Sequence, residues 1–126
     1  MPAVGLEADI TEPQQVSRAL DKVLNDLGRV DILINNAAND SKVGGAGQSG
    51  LQWSRLENFP VDVWRQDLAV GLTGAFVSSQ IFGGEMARAG KGVVLNIASD
   101  LALISPDQRI YREAGLPDDQ QPVKPI

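Results

Sequence analysis

Hydrophobic positions along the chain change period several times. Residues 4–10 carry Val4, Leu6 and Ile10 and close on Asp9-Ile10-Thr11, which predicts a strand. Val16, Ala19, Leu20, Val23 and Leu27 then keep the spacing of one helical face, and Gly28 is placed to end that helix. Thr11-Glu12-Pro13-Gln14 fits a capping box, with Thr11 as N-cap, and Pro13 is tolerated in a first turn. Ile32-Leu33-Ile34 is a continuous aliphatic run, which predicts a strand buried on both faces. It stops abruptly at Asn35-Asn36-Ala37-Ala38.

Residues 36–52 are polar and glycine-rich and read as a long loop. Val61, Trp64, Leu68, Leu72, Phe76, Phe82 and Met86 trace one long helix or two consecutive ones, starting after Pro60. Gly71 and Gly74 mark a bend or a close helix contact, and Gly90 and Gly92 end the element. Residues 93–98, Val-Val-Leu-Asn-Ile-Ala, predict a third buried strand, ending at Ser99. Beyond Ser105 the prolines and Gly115 give an irregular tail. The order β-α-β-α-β argues a parallel α/β sheet.

Composition narrows the chemistry. A chain of 126 residues holds at most one domain. A formal charge of −5 disfavours nucleic acid and membrane surfaces as partners. The chain has no cysteine and no histidine, which removes thiol catalysis, disulfides and the usual zinc ligands, so no metal site is expected. No apolar run approaches a membrane span and no signal peptide is evident, making the cytoplasm the expected compartment.

Open α/β sheets bind ligands at the carboxyl ends of their strands. Three groups stand there. Asn35 and Asn36 precede Ala37 and Ala38, whose small side chains let something flat approach the backbone; the alternative is a core strand ending in an Asn-containing turn. The Asp9 carboxylate could accept hydrogen bonds from a ligand amine, or be an exposed acid before a helix. The Ser99 hydroxyl both donates and accepts, so it could hold an oxygen whose charge changes during reaction, or merely end a strand. Gly45-Ala46-Gly47-Gln48-Ser49-Gly50 satisfies G-x-G-x-x-G, but follows a polar stretch rather than a strand. That context suits a flexible loop better than a phosphate cradle in a small nucleotide-binding domain.

Asn35-Asn36-Ala37-Ala38 resembles the Asn-Asn-Ala-Gly motif of the short-chain dehydrogenase/reductase family, with Ala38 where glycine is usual. Asn96-Ile97-Ala98-Ser99 resembles that family's strand-end serine motif, and Val70-Gly71-Leu72-Thr73-Gly74 a helix segment in which Gly71 replaces the usual Asn. The resemblance implies a partial Rossmann-like doubly wound parallel sheet in three layers. Residues 1–105 would form that sheet portion, and residues 106–126 a substrate-loop-like tail. It implies NAD or NADP as cofactor, and hydride transfer to or from a small alcohol or carbonyl. Asp9 and Ile10 would lie at the adenine, Asn36, Ala37 and Ala38 would border the cofactor, and Asn35 would also steady the neighbouring strand. Ser99 would orient the substrate carbonyl. The family uses the Asn missing at Gly71 to hold a water in a proton relay. Residues 104–109 and 121–125 add a likeness to the flagellin-modification, sugar-acting branch.

Two family features have no counterpart here. The family's acid–base Tyr has a Lys four residues on, whereas Tyr111 is followed by Gly115 and Pro117. No glycine-rich turn after a first strand is found either. The chain thus resembles the middle of a family member, its strands matching the third, fourth and fifth. The expectation is a chain inactive alone and poorly stable, because strands without neighbours leave backbone groups unpaired. The alternative is a non-catalytic module that docks through helix 61–89, the helix with which relatives pair into homo-oligomers.

Overall fold

The computed structural model describes residues 3–39 and 53–124, in two compact units. The glycine-patterned loop 45–50 lies outside the described residues.

The first unit comprises residues 3–38 and 67–97. Helix α1 (Pro13–Leu27) buries Val16 and Leu20, two of the positions on the expected face. Gly28, at φ 79°, takes the left-handed conformation and donates its N–H to the Leu24 carbonyl. A Cβ at Gly28 would meet nothing within 4 Å. The cost of Gly28→Ala is therefore conformational alone, about 1–2 kcal/mol, and urea denaturation would measure it.

The capping box does not form. The helix starts at Pro13 with Glu12 as N-cap and no side-chain cap bond. Thr11 turns back instead: its N–H (2.9 Å) and hydroxyl (2.7 Å) both donate to Asp9 Oδ1. The helix begins one residue later than the box requires, with Glu12 as N-cap, so Thr11 lies outside it and its donors close a local turn on the Asp9 carboxylate.

Strand β1 (Ile32–Asn35) pairs in parallel with β2 (Val93–Asn96), Ile34 opposite Leu95 and Asn35 opposite Asn96. The ladder continues past both ends, through Val93 N–H to Asp31 O and Ile97 N–H to Asn35 O, each 2.9 Å. The expected first strand is not one: residues 3–9 adopt no ladder. A strand is defined by its neighbour's hydrogen bonds, and no described segment pairs with this one.

Helix α3 (Ala75–Arg88) packs against both strands and covers one face of the sheet, and α1 packs against α3. Val77, Ser78 and Met86 are buried in that layer. The opposite face carries Ile32, Ile34, Val93 and Leu95, which are 63%, 58%, 60% and 47% exposed. Burial on both faces, expected from the unbroken aliphatic runs, is corrected: β1 alternates between exposed and half-buried and β2 is exposed throughout. The aliphatic composition registers what such strands suit, not what covers them here.

The helical run from α2 (Val61–Leu68) to α3 is joined by a π-helical segment, Ala69–Gly74. It contains both Gly71 and Gly74, the glycines expected to mark a bend or a close helix contact. At its far end α3 closes in a Schellman motif, Lys91 N–H bonding Met86 O and Gly90 N–H bonding Ala87 O, with Gly90 at φ 70°.

The second unit holds the described residues of 39–66 and 98–126. Trp53 stacks at a tilt on Phe59, centroids 5.9 Å apart. The tail is irregular, as expected, but tied by amide side chains. Gln121 receives the Glu113 N–H and donates to the Glu113 and Leu116 carbonyls, while Gln108 makes a two-way pair with the Lys124 backbone. Among the described residues no helix is long and apolar enough to cross a membrane.

Candidate functional site

In the first unit, the carboxyl end of β1 is organised around one side-chain amide. Asn35 Nδ2 donates to Asn96 Oδ1 (2.8 Å) on the neighbouring strand and to Ser79 Oγ (3.0 Å) on α3. It also approaches the Ala75 carbonyl at 3.4 Å. Ser79 passes the chain of bonds on, donating to that same carbonyl at 2.7 Å. One residue thus ties β1, β2 and the start of α3, where the ladder ends and backbone groups need partners. Neither Ser79 nor Asn96 stood out in the sequence as a partner. The only trace was the spacing of Ser79 one helical turn beyond Ala75, on the α3 face that meets the sheet. Asn36, Ala37 and Ala38 follow outside any regular element and are exposed, open to close approach.

The turn at Asp9 and Ile10 lies against the same end of α3. A Cβ built on Gly74 would stand 2.7 Å from both Cγ1 and Cδ1 of Ile10, so Ile10 rests on that glycine. Next in sequence is Ala75, whose carbonyl meets Asn35. The structure therefore brings Asp9, Ile10 and Asn35 to one end of this unit. Asp9 is exposed, with its N–H on Gln15 Oε1 (3.0 Å) and its carbonyl on Glu12 N–H (3.1 Å). The Thr11 hydroxyl and N–H hold its carboxyl below the usual carboxylate range. The turn is thus complete above that range and weakens as pH falls through the lowered value.

Ser99 belongs to the second unit. It caps a single 3-10 turn, Asp100–Ala102, accepting the Leu101 N–H at 3.1 Å and donating to Asp100 Oδ1 at 3.2 Å. Its hydroxyl is exposed. Tyr111 ends another 3-10 turn, Gln108–Tyr111, and Gly115 follows at φ 87°, so no helical turn carries a Lys beside it.

The profile of short chain dehydrogenases matches residues 1–111. The chain belongs to the short-chain dehydrogenase/reductase family. It is 32% identical over 106 residues to D-threitol dehydrogenase of Mycolicibacterium smegmatis, covering 84% of this chain and 36% of that protein. It is equally similar, 32% over 106 residues, to D-beta-hydroxybutyrate dehydrogenase of Rhizobium meliloti, covering 82% and 36%. Among solved structures, an NAD+-bound xylitol dehydrogenase superposes with a TM-score of 0.66 at 25% identity, over 79% of this chain and 34% of that one. The chain spans about a third of the length of these short-chain dehydrogenase relatives. The π-helical segment Ala69–Gly74 is where Gly71 stands.

Proposed function

We propose that this chain is the central part of an NAD(P)-dependent oxidoreductase acting on a small alcohol or carbonyl, a polyol, sugar derivative or hydroxy acid, in the cytoplasm. Residues 1–105 serve as the sheet portion and residues 106–126 as the substrate loop, a tail whose sequence favours the sugar-acting branch. The observation that carries the reading is the Asn35 network, which fixes the carboxyl end of two parallel strands beside the Asp9–Ile10 turn. Dinucleotides bind at that end of such sheets.

The residues present suit the adenosine half of the cofactor. The exposed Asp9 carboxylate, preset by Thr11, accepts from an exocyclic amine, and Ile10 packs an apolar edge beside it. Asn36, Ala37 and Ala38 offer exposed backbone with little side-chain bulk along the cofactor's flank. When bound, the nicotinamide supplies or takes up the hydride. Ser99 orients the substrate oxygen by exchanging its weak bond to Asp100 for one to the carbonyl. The proton on that oxygen needs a tuned acid, and Tyr111 with Gly115 four residues on does not provide one.

Two results are expected of the purified 126-residue chain. It binds NAD+ or NADP+ weakly, and Asp9→Ala lowers that affinity about tenfold, the worth of one good hydrogen bond. It does not oxidise polyols or hydroxy acids with either nucleotide. Isothermal titration checks the first and absorbance of reduced nucleotide the second. Absence of binding defeats the cofactor reading; steady turnover defeats the proposed lack of activity.

A second reading is favoured by Leu68, Leu72 and Phe76, which are 39%, 66% and 64% exposed along the helical run. Such a stripe suits docking onto a full-length relative or a second copy. Size-exclusion chromatography that finds only monomer, alone and with such a relative, counts against it.

A further inference from the structure

We propose that Gly74 is a positioning residue for the adenosine end of the cofactor site, acting through Ile10 on the Asp9–Thr11 turn. The inference deepens the reading above and rests on it. Gly74 is buried at the end of the π-helical segment. A methyl group there would fall 2.7 Å from Ile10 Cγ1 and Cδ1 and 3.3 Å from the Ala69 carbonyl oxygen. Real carbon atoms do not approach so closely, so one partner must move.

The direction of movement follows from side-chain stiffness. Ile10 Cδ1 could swing aside about χ2. Its Cγ1 moves only by rotation about χ1, which is restricted in a β-branched residue. The backbone of α3 is braced by Ser79 and Asn35 on the Ala75 carbonyl. The exposed turn yields first, and Ile10 is its central residue: Asp9 Oδ1 on one side receives both Thr11 donors on the other. Displacing Ile10 therefore turns the carboxylate that faces the adenine amine. Gly74 differs in this from Gly71, where an added Cβ would meet nothing within 4 Å.

The test is a reciprocal swap, read by hydrogen exchange of the Thr11 amide, whose bond to Asp9 reports the turn directly. Gly74→Ala overfills the contact and Ile10→Ala empties it, so each alone speeds Thr11 exchange about tenfold, equivalent to one weakened hydrogen bond. The double variant puts a methyl where the side chain was and returns exchange toward the parent rate. Gly71→Ala leaves it unchanged. Additive losses in the double variant would mean that Gly74 does not act on the turn through Ile10, and that result overturns the proposal. Should Gly74→Ala not fold, Ile10→Ala and the double variant still decide it: the double must exchange more slowly than Ile10→Ala. NAD+ titration separates the two ideas. No binding by the parent chain defeats the cofactor reading and, with it, the functional role of Gly74, while the exchange pattern still reports the coupling. Parent binding that Gly74→Ala leaves undiminished overturns the positioning role alone.

Discussion

Met86→Ala is expected to destabilise the chain by about 2–5 kcal/mol, the range for emptying a buried large apolar site. Met86 is 4% exposed, and its side chain covers Gly92 so closely that a Cβ there would lie 2.5 Å from Cγ and Sδ. It joins the last turn of α3 to the entry of β2, beside the Schellman motif its own carbonyl helps close. The layer it belongs to is thin, with Val16, Leu20 and Val77 as the other buried apolar side chains described in that unit. No described large side chain is fully enclosed, so little surrounds Met86 that could refill its space. On the opposite face, Ile32→Thr should change stability by less than about 0.5 kcal/mol, because Ile32 is already mostly in water and threonine suits a strand. Urea denaturation followed by far-UV circular dichroism gives both values. Equal losses from the two substitutions would mean that the bare face is covered in solution.

What the sequence revealed and what it hid follow one physical division. Elements that carry their own hydrogen bonds were legible: the α1 face with Gly28 after it, and the glycines that end α3. So was the parallel sheet, since two aliphatic runs separated by a helix make a parallel pair. Properties that depend on a neighbour were not. Residues 4–10 have strand composition but no ladder, and Ile32 and Val93 have core composition but face water. Thr11 was expected at the helix end, and only the geometry shows both of its donors on Asp9. At the site, Asn35 was visible as an amide at a strand end. The roles of Ser79, Asn96 and Gly74 were not, because each is defined by a contact more than 40 residues away in the chain.

Asn35→Ala is expected to cost roughly 1–3 kcal/mol, two or so hydrogen bonds of ordinary net strength. The loss should exceed that of either partner alone. Ser79→Ala leaves Asn35 its bond to Asn96, and Asn96→Ala leaves it the bond to Ser79. Asn35→Ala removes both and strands the Asn96 oxygen, while Ser79 keeps its bond to Ala75 O. Asn35→Asp is the more telling change. An aspartate keeps the shape but loses the donors, and its carboxylate would face Asn96 Oδ1 and the Ala75 carbonyl, all acceptors. Repulsion there should make Asn35→Asp at least as damaging as alanine at neutral pH, with part of the loss recovered on acidification, when the protonated acid can donate again. The double variant Asn35→Ala with Ser79→Ala should lose less than the sum of the singles, because the two share one bond. Denaturation midpoints of these variants, at neutral and acid pH, test the network as a unit. Strict additivity would show that Asn35 stabilises β1 without tying it to α3.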